Sequence, residues 1–552
     1  MKHKLLILTA ALASQVHAED NQIQGAPFLT VGNGGTCDYS SIQAAIDSTL
    51  SNVIRIASDK VYNENITIDD RNMVLTGGYA DCSGANNNIT DLSSAVIDGG
   101  GSGAVVSVSG NSEERSVDIR NLLIGNGTSG LMSTADVQLN VENVTLINND
   151  NVGAFIFGGD NNVSFVDVVV SSNDGSGIIC AGQENILNIQ GESLISDNDT
   201  SNSGGGLLIT GGCKANLFAP VKVKDNSSVG DGGGIKVADG SIVNLNGIEI
   251  LGNEAGSDGN GSGSGGGVSV SGEFSIVNAV NSKFRDNKGH TGGAVEAFDQ
   301  GQFTSYAANT LANPCHTPGS CTDYRGNTAG NLGGVFAATQ NGKITVLHAN
   351  IKHNGLLGDN GLIGFASLDG VLKIEGSMIV KNGTDSFPGI NLFYINGGVN
   401  QASAISLNHV TIASNEITES VVHNSGGIFA MNSSIVQESV DVSKTTNAAS
   451  HDFECVIAHE TSSFSAGGTV TIDDPEFINP LTNDFHIKPT SPAIDYCYAA
   501  EPLTVELGYD MDFEGRNYDD PNVTNLHGTY DIGADEYRWD NDLIFMNGFE
   551  QN

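Results

Sequence analysis

Apolar and polar positions alternate in short runs along most of the chain, and one motif recurs among these runs. The motif is an apolar or aromatic residue, two further residues and then Asn. Successive Asn residues lie 23 to 40 positions apart, and most of the intervals fall in the twenties. This spacing is typical of a solenoid built from stacked coils. The motif ends at Asn126, Asn149, Asn173, Asn198, Asn226, Asn253, Asn287, Asn327, Asn354, Asn382 and Asn415.

A β-prone run precedes most of these Asn residues, as in residues 166–170 (VDVVV) and 242–245 (IVNL). A Gly-rich turn and a second short strand follow many of them, as in residues 204–209 (GGGLLI) and 232–237 (GGGIKV). Strands this short cannot bury a core alone, but stacked rungs share one continuous apolar column. The pattern therefore predicts an all-β fold, a parallel β-helix with two or three strands in each rung.

The repeated Asn has a structural role in this prediction. Asn tolerates the left-handed backbone that a sharp corner needs, and stacked Asn side chains can hydrogen-bond from rung to rung. We expect an Asn ladder of ten residues: Asn149, Asn173, Asn198, Asn226, Asn253, Asn287, Asn327, Asn354, Asn382 and Asn415.

One open end of the solenoid needs a cover, because exposed strand edges favour aggregation. Ser40 and Ser41 precede a helical pattern whose apolar side carries Ile42, Ala45 and Ile46. Ser is a good N-cap residue, so we expect a short capping helix here. Strands are predicted directly after it, at residues 53–56 and 66–68.

The first 18 residues have the pattern of a signal peptide, with Lys2 and Lys4 before the apolar run 5–13 and a small-x-small site at 16–18. We expect an exported protein, extracellular or on the bacterial outer cell surface. No later run of apolar residues is long enough for a transmembrane helix. The predicted organisation is 1–18 signal peptide, 19–80 cap and first strands, 81–440 rungs, 441–540 irregular C-terminal segment and 541–552 tail.

The formal net charge of −41 limits the possible partners. Such a surface repels nucleic acid and anionic membranes. It also repels acidic polysaccharides unless a cation bridges the two, so Ca²⁺ is the one cofactor that we consider. We expect a monomer whose partner is a polysaccharide or another cell-surface ligand.

Eight cysteines in an exported chain suggest disulfides. They fall into pairs that are near in sequence, although eight cysteines allow 105 connectivities and proximity alone selects this one. The pairs are Cys37 with Cys82, Cys180 with Cys213, Cys315 with Cys321 and Cys455 with Cys497.

Several segments resemble known families. TCDYSSIQAAID (36–47), IRIASDKVYNENITI (54–68) and LTGGYADC (75–82) resemble the opening of right-handed β-helix proteins of the pectate-lyase-like superfamily. FRDNKGHTGGAV (284–295) is similar to the repeats of polymorphic outer-membrane proteins. Residues 474–536, which include GYDMDFEGR and DIGADE, resemble a choice-of-anchor Q segment. The resemblances imply a right-handed helix and retention at the cell surface, but no particular reaction.

Candidate chemistry is sparse. Asp197, Asp225 and Asp286 directly precede ladder Asn residues, and stacking could bring Asp197 and Asp225 close enough to share a cation. Arg285 and Arg325 occupy comparable slots further along. The simpler interpretation of the acids is that they are solvated corner residues. The acidic run 510–515 (DMDFEG) begins like a Ca²⁺-binding loop but lacks the final Glu of one.

These observations leave two functions open, and the catalytic and metal-ligating residues stay unassigned. The first is non-catalytic adhesion to or binding of a glycan, a cell or matrix. The alternative is a polysaccharide lyase or glycoside hydrolase with a site in a groove of the β-helix, with or without Ca²⁺. An enzyme should show basic and acidic side chains that converge on neighbouring rungs near the long repeats at 253–327.

Overall fold

The computed structural model describes residues 27–538 except 92, 112–114, 135, 259–261, 309–320, 359, 385–387, 399–401, 448, 460–469, 498–507 and 517. The fold is a right-handed parallel β-helix, as predicted. Each full rung carries three short strands, which belong to three parallel sheets that run along the axis. The signal peptide and the C-terminal tail predicted from the sequence lie outside the described residues.

Sheet 1 is the first that the chain enters in each rung. Its strands are Phe28–Val31, Val53–Ala57, Met73–Tyr79, Arg115–Arg120, Val137–Glu142, Asn162–Val166, Ile186–Gln190, Lys214–Phe218, Ile242–Asn246, Ile276–Val280, Gln302–Tyr306, Lys343–Leu347, Val371–Glu375, Ala404–Asn408 and the first halves of Ile428–Gln437 and Ser450–Ala458.

In most rungs, sheet 2 follows after a corner of one to three residues. Its strands are Val61–Asn63, Ala95–Asp98, Leu122–Gly125, Thr145–Ile147, Val169–Ser171, Leu194–Ser196, Lys222–Lys224, Glu249–Leu251, Lys283–Arg285, Asp323–Arg325, Asn350–Lys352, Met378–Val380, Thr411–Ala413, the second halves of Ile428–Gln437 and Ser450–Ala458, and Val470–Ile472.

Sheet 3 completes the rung. Its strands are Ile66–Asp69, Ala104–Ser109, Ser129–Thr134, Val152–Phe157, Ile178–Ala181, Leu207–Thr210, Ile235–Val237, Val268–Ser271, Val295–Phe298, Phe336–Ala338, Gly364–Ser367, Gly389–Asn396, Ile417–Ser425 and Asp441–Thr446. A narrow strip between sheets 2 and 3 consists of Asp199–Thr200, Ser227–Ser228, Glu254–Ala255, Lys288–Thr291, Thr328–Leu332 and Gly355–Leu356.

In the ten motifs that end at ladder Asn residues, the apolar residue points into the helix and stacks on its equivalents. Ile195, Val223 and Ile250 are direct neighbours in sheet 2, and all three are fully buried. The same file continues through Phe284 and Tyr324, whose rings stack with centroids 4.8 Å apart. These files form one continuous core along the axis. Burial of apolar surface between rungs supplies the main stabilisation of such a stack.

The ten ladder Asn residues lie in single file beside this core. The backbone N–H and the side-chain amide of Asn198 both donate to Oδ1 of Asn226, at 3.2 and 2.8 Å. The side-chain amide of Asn226 also donates to the carbonyl of Ile195 on the preceding rung, at 2.9 Å. The pattern repeats from Asn149 to Asn415, which donates to Oε1 of Glu438. Each buried amide is thus paired with neighbouring rungs.

The left-handed corner residue is not the Asn that the sequence analysis expected. It is the residue before it: Asp197, Asp225 and Asp286 have φ of 55°, 53° and 53°. The ladder Asn must point its side chain inward to reach the next rung, so its predecessor makes the turn. Asn126, which has φ of 56°, is in register with the predecessor of Asn149 and lies outside the ladder.

Glycine is required where the second corner passes close to the next rung. A Cβ on Gly234 would lie 2.6 Å from the carbonyl oxygen of Gly267 and 3.1 Å from the Asn253 amide. Even an alanine side chain would therefore push two rungs apart, which explains the recurring Gly-Gly-Gly turns.

The N-terminal cap is the helix Ile42–Asp47, as predicted. The Ser41 hydroxyl accepts a hydrogen bond from the Ala44 amide at 3.2 Å, and Ile42, Ala45 and Ile46 are buried. A second short helix spans Cys82–Asn87. Three of the four predicted disulfides are confirmed: Cys37–Cys82, Cys180–Cys213 and Cys455–Cys497. The predicted pair Cys315–Cys321 includes Cys315, which lies outside the described residues.

The C-terminal region leaves the axis and packs on the outside of sheet 2. We call its described residues 473–497, 508–516 and 518–538 the docked segment. It contains the antiparallel strands Phe477–Asn479 and Asp484–Ile487, joined by the 3-10 turn Pro480–Thr482. No described helix is long and apolar enough to cross a bilayer.

The ladder gives a direct test of what holds the rungs in register. Asn226→Ala leaves the two donors of Asn198 and the carbonyl of Ile195 without these partners in a dry interior. We expect the free energy of unfolding in urea to fall by about 3 kcal/mol.

The matched control is Asn244→Ala, because Asn244 belongs to an exposed Asn file on sheet 1 that also bonds from rung to rung. Water replaces its bonds, so we expect a loss below about 1 kcal/mol. Equal losses for the two variants would contradict a special role for the buried ladder.

Candidate functional site

One stretch of sheet 2 differs in charge from the rest of the protein. Across six rungs, the strands and their left-handed corner residues carry seven cations and four acids, in a chain whose net charge is −41. Outward-pointing positions alternate with core positions along each strand, so these side chains share one face. The cations are Lys222, Lys224, Lys283, Arg285, Arg325, Lys352 and Lys381, and the acids are Asp225, Glu249, Asp286 and Asp323.

Three of these cations form what we call the cationic column: Arg285, Arg325 and Lys352. Arg285 is the direct neighbour of Arg325 in the sheet, and Arg325 is the direct neighbour of Lys352. Adjacent rungs are about 4.8 Å apart, so three like charges lie at the spacing of the strands. Like charges directly opposite one another destabilise a sheet, so packing alone does not explain this arrangement.

One buried carboxylate supports the column. Asp323 is only 3% exposed, and its Oδ2 accepts a hydrogen bond of 2.9 Å from Nε of Arg285 and lies 2.9 Å from Nη2 of the same guanidinium. The second oxygen, Oδ1, is buried without a hydrogen-bond partner among the described residues. Arg325 and Lys352, by contrast, form no ion pair within the part of the chain that the structure describes. The column therefore has two cations whose charge is not neutralised by a contact.

The electrostatic field of the column changes the proton affinity of its members. Burial lowers the pKa of Lys352, Asp323 opposes that shift, and Arg325 and Arg285 lower the pKa further. Burial also lowers the pKa of His353, and the charges of Arg325, Lys352 and Lys381 act in the same direction. Both groups therefore bind a proton less tightly than their exposed counterparts, and a larger fraction of each is unprotonated at a given pH.

A pocket of about 300 Å³ lies at one end of the column. Its lining combines cationic, acidic and apolar side chains from three successive rungs: Glu249, Ile250, Leu251, Lys283, Arg285, Asp286 and Arg325. Glu249 pairs loosely with Lys222 and Lys283, with nitrogen–oxygen distances of 3.7 and 3.9 Å. The pocket and the column together give basic and acidic side chains on neighbouring rungs at the long repeats.

The acids singled out in the sequence lie at corners. Asp197 and Asp225 are in register on adjacent rungs, as expected from the motif. Asp225 forms an ion pair with Lys224, with 3.1 Å between nitrogen and oxygen. Asp286 lies two rungs beyond Asp225, beside Arg285. Their left-handed backbone fits the simpler interpretation of corner residues. Of the sequence candidates, Arg285 and Arg325 are brought together. Lys352 occupies the same slot, two residues before the ladder residue Asn354, but the sequence analysis did not name it.

A second titratable cluster lies in the docked segment. The His486 ring donates from Nδ1 to Asp484 at 2.6 Å and from Nε2 to Asp512 at 3.0 Å. One ligand atom each from His486, Asp512 and Asp535 lie within 4.8 Å of one another. Burial lowers the pKa of His486, but Asp535, Asp484 and Asp512 together raise it to about 12. The ring is therefore an imidazolium held among carboxylates.

These donors bear on the Ca²⁺ hypothesis. As an imidazolium, His486 has no lone pair for a metal, so a metal would have to displace its proton. The nitrogen ligand that results suits Zn²⁺ better than Ca²⁺, which prefers oxygen ligands alone. Asp510, the first residue of the Ca²⁺-like run, accepts hydrogen bonds from the amides of Asp512, Glu514 and Glu536, at 2.9, 2.7 and 3.1 Å. Its carboxylate is therefore already used to fold the turn, and a Ca²⁺ requirement stays a prediction.

A third polar cluster is enclosed by the Gly-rich turns. Lys236 is 6% exposed, and its ammonium contacts Asp231 at 3.2 Å and the Ser269 hydroxyl at 3.1 Å. Burial raises the pKa of Glu296 to about 8, with a further contribution from Asp231. Lys236, Ser269 and Glu296 are buried, so these contacts stabilise the corner from within the fold.

Comparison with known proteins adds little to this geometry. No family model and no curated protein sequence matches the chain. Among solved structures, the chain is similar to pectate lyase Pel9A, with 12% identity over 93% of this chain and 98% of that one, at a TM-score of 0.25. It is also similar to the PL6 family alginate lyase AlyGC, with 10% identity over 78% and 80%, at a TM-score of 0.20. We base no functional argument on likeness at this level.

The His486 cluster predicts a pH-dependent stability. His486→Gln removes the positive charge of the imidazolium, which is hydrogen-bonded to Asp484 and Asp512. We expect this substitution to lower the free energy of unfolding by about 3 kcal/mol at pH 6. The folded pKa is raised above the unfolded value, so this contribution is complete below about pH 6.5 and declines as pH rises toward 12. The gap between wild type and variant should therefore be smaller at pH 9 than at pH 6.

Urea unfolding of both proteins at the two pH values measures this gap, with the exposed His527→Gln as the control. A gap that is constant or grows with pH would show that His486 is not an imidazolium in the folded protein.

Proposed function

We propose that this protein is an exported binding protein for a carboxylate-bearing polysaccharide, which it holds on the cationic column. The observation that carries the proposal is the file of Arg285, Arg325 and Lys352, two of which have no ion-pair partner in the described chain. In a protein with a net charge of −41, carboxylates are abundant, yet no carboxylate among the described residues forms an ion pair with these two cations. An external anion is the partner that such an arrangement fits best.

The spacing favours a polymer of acidic sugars. Cations repeat along the axis at about 4.8 Å. A glycan that carries one carboxylate on each sugar unit has charges spaced along its length, so successive carboxylates can contact successive cations. Nucleic acid has a much denser charge, about one per 1.7 Å of duplex, and the acidic remainder of the protein repels it strongly. The local excess of cations therefore selects a sparsely charged polyanion.

The location proposed from the sequence agrees with this partner. Disulfides such as Cys37–Cys82 and Cys180–Cys213 are typical of proteins that leave the reducing cytosol. Acidic polysaccharides are likewise components of cell walls and extracellular matrix. Retention at the cell surface through the C-terminal region remains part of the proposal.

Binding to a defined oligogalacturonate tests the proposal. We expect Arg325→Ala and Lys352→Ala each to raise Kd about tenfold, the effect of losing one charge-assisted hydrogen bond. Added salt should weaken binding by the wild type, because the surface charges are screened. Isothermal titration calorimetry measures both effects.

Lys343→Ala is the matched control, since Lys343 is an exposed lysine on sheet 1 and its removal changes the net charge equally. A neutral cello-oligosaccharide and single-stranded DNA are the comparison ligands. Equal weakening by Lys343→Ala, or tighter binding of DNA than of the uronate, would contradict the assignment of the site.

A polysaccharide lyase is the second candidate, and two observations favour it. The first is that basic and acidic side chains meet on neighbouring rungs at the long repeats. The second is the pKa of Lys352. The lowered pKa of Lys352, next to the guanidinium of Arg325, suits a base that acts on an anionic substrate. In a β-elimination, Lys352 Nζ takes the proton from the carbon beside the uronate carboxylate. The electron pair forms the carbon–carbon double bond as the bond between the ring carbon and the glycosidic oxygen breaks. That oxygen leaves with the rest of the chain and takes a proton from solvent water.

This candidate has its own test. The purified protein is incubated with polygalacturonate and with alginate, with and without Ca²⁺, and ultraviolet absorbance of unsaturated uronate is followed. A lyase gives a rise that Lys352→Ala abolishes and Lys343→Ala preserves. Binding without such a rise, and without new reducing ends, favours the non-catalytic function.

A further inference from the structure

The cationic column ends at a wall formed by the protein itself. On the rung after Lys352, the equivalent outward residue is Val380, and Ala413 follows on the next rung. Their exposure is 5% and 1%, whereas Lys352 is half-buried and Arg325 is exposed. Sheet 2 continues past the column, but its outer face is covered from this rung onward.

The cover is the apolar side of the docked segment. Val380, Ala413, Ile435 and Ile457 on the face of sheet 2 belong to one buried cluster with side chains from that segment. The members from the docked segment are Phe477, Phe485, Ile487, Ala493, Ile494, Tyr496, Cys497, Ile532 and Tyr537. Burial of this apolar surface makes the cover a permanent part of the fold.

Polar contacts fix the position of the cover. The Ala534 amide donates to the Thr411 hydroxyl at 2.9 Å. The buried guanidinium of Arg516 donates to His409 at 3.3 Å and to the Ala534 carbonyl at 2.7 Å. The disulfide Cys455–Cys497 joins the segment covalently to the last rungs. A ligand on the column therefore meets a rigid boundary beside Lys352.

In the opposite direction along sheet 2, the described outward residues remain accessible to solvent. Outward residues on earlier rungs, such as Thr145, Val169 and Leu194, are partly exposed. They are small or apolar and carry no charge that would hold a polyanion. A polymer held on the column therefore extends toward these N-terminal rungs and not across the docked segment.

We infer that the protein recognises the end of an acidic polysaccharide chain, with the terminal sugar against the docked segment and the remainder directed toward the N-terminal rungs. The inference rests on the proposed function, because it assigns an orientation and an end to the same ligand. Tyr509 marks this boundary, since its carbonyl accepts a hydrogen bond from His348 at 3.0 Å and its side chain is 47% exposed.

Stoichiometry tests end recognition. Oligogalacturonates of about ten residues and polygalacturonate of about a hundred residues are titrated separately with the full chain by calorimetry. We expect the same number of protein molecules per polysaccharide chain for both lengths. A number that grows with chain length would overturn end recognition while leaving the proposed binding intact. Absence of binding at both lengths would overturn the proposed function, and the inference with it.

A pair of variants tests the direction. Lys224 lies four rungs from Lys352, about 19 Å along the axis. A digalacturonate seated at the wall reaches Lys352 but not Lys224. We expect Lys352→Ala to weaken binding of the dimer about tenfold and Lys224→Ala to leave it unchanged. For the ten-residue chain, we expect both variants to weaken binding. Equal loss of dimer binding in the two variants would overturn the proposed orientation.

Discussion

Register between rungs is the constraint on which the rest of this structure depends. A parallel stack of short strands can slip, because apolar core contacts alone are not directional. The buried Asn ladder removes that freedom. From Asn173 onward, each side-chain oxygen accepts two hydrogen bonds from the rung before, and each amide reaches a carbonyl of that rung, as between Asn198 and Asn226. A shift by one residue would leave several buried polar groups unpaired, at a cost of several kcal/mol.

Fixed register turns sequence positions into columns on the surface. The residue two places before each ladder Asn points outward from sheet 2, so Arg285, Arg325 and Lys352 are forced into one file. Their repulsion costs stability that the ladder and the core offset. The docked segment then occupies the next part of the same face, where the column changes to Val380 and Ala413. Ladder, cations and cover together define a short charged surface with one closed end.

The fold was predictable because one residue type repeats at the period of the rung. The Asn spacing predicted the stack, and the slots of Arg285 and Arg325 were visible once the repeats were aligned. The same rule identifies Lys352, whose slot lies two residues before Asn354. Two things were not predictable in this way. The left-handed residue is one place earlier than expected, because the inward side chain of the ladder Asn excludes it from the turn.

The second feature that the repeat did not predict is the position of the docked segment. Contacts such as Ala534 with Thr411 join residues far apart in a region without a repeat, so no period in the sequence reports them. The closed end of the charged surface depends on these contacts, as does the position of Arg516 beside His409. Chemistry that arises from one repeat can be read from its spacing, whereas chemistry that arises between the repeat and an irregular segment needs coordinates.

The most direct measurement of the central claim is lysine acetylation followed by mass spectrometry, with and without a saturating oligogalacturonate. The column predicts that Lys352 reacts readily in the free protein, since its pKa is lowered, and that the ligand protects it while the exposed Lys343 reacts as before. Unchanged reactivity of Lys352, or equal protection of both lysines, would contradict an acidic glycan bound on this face.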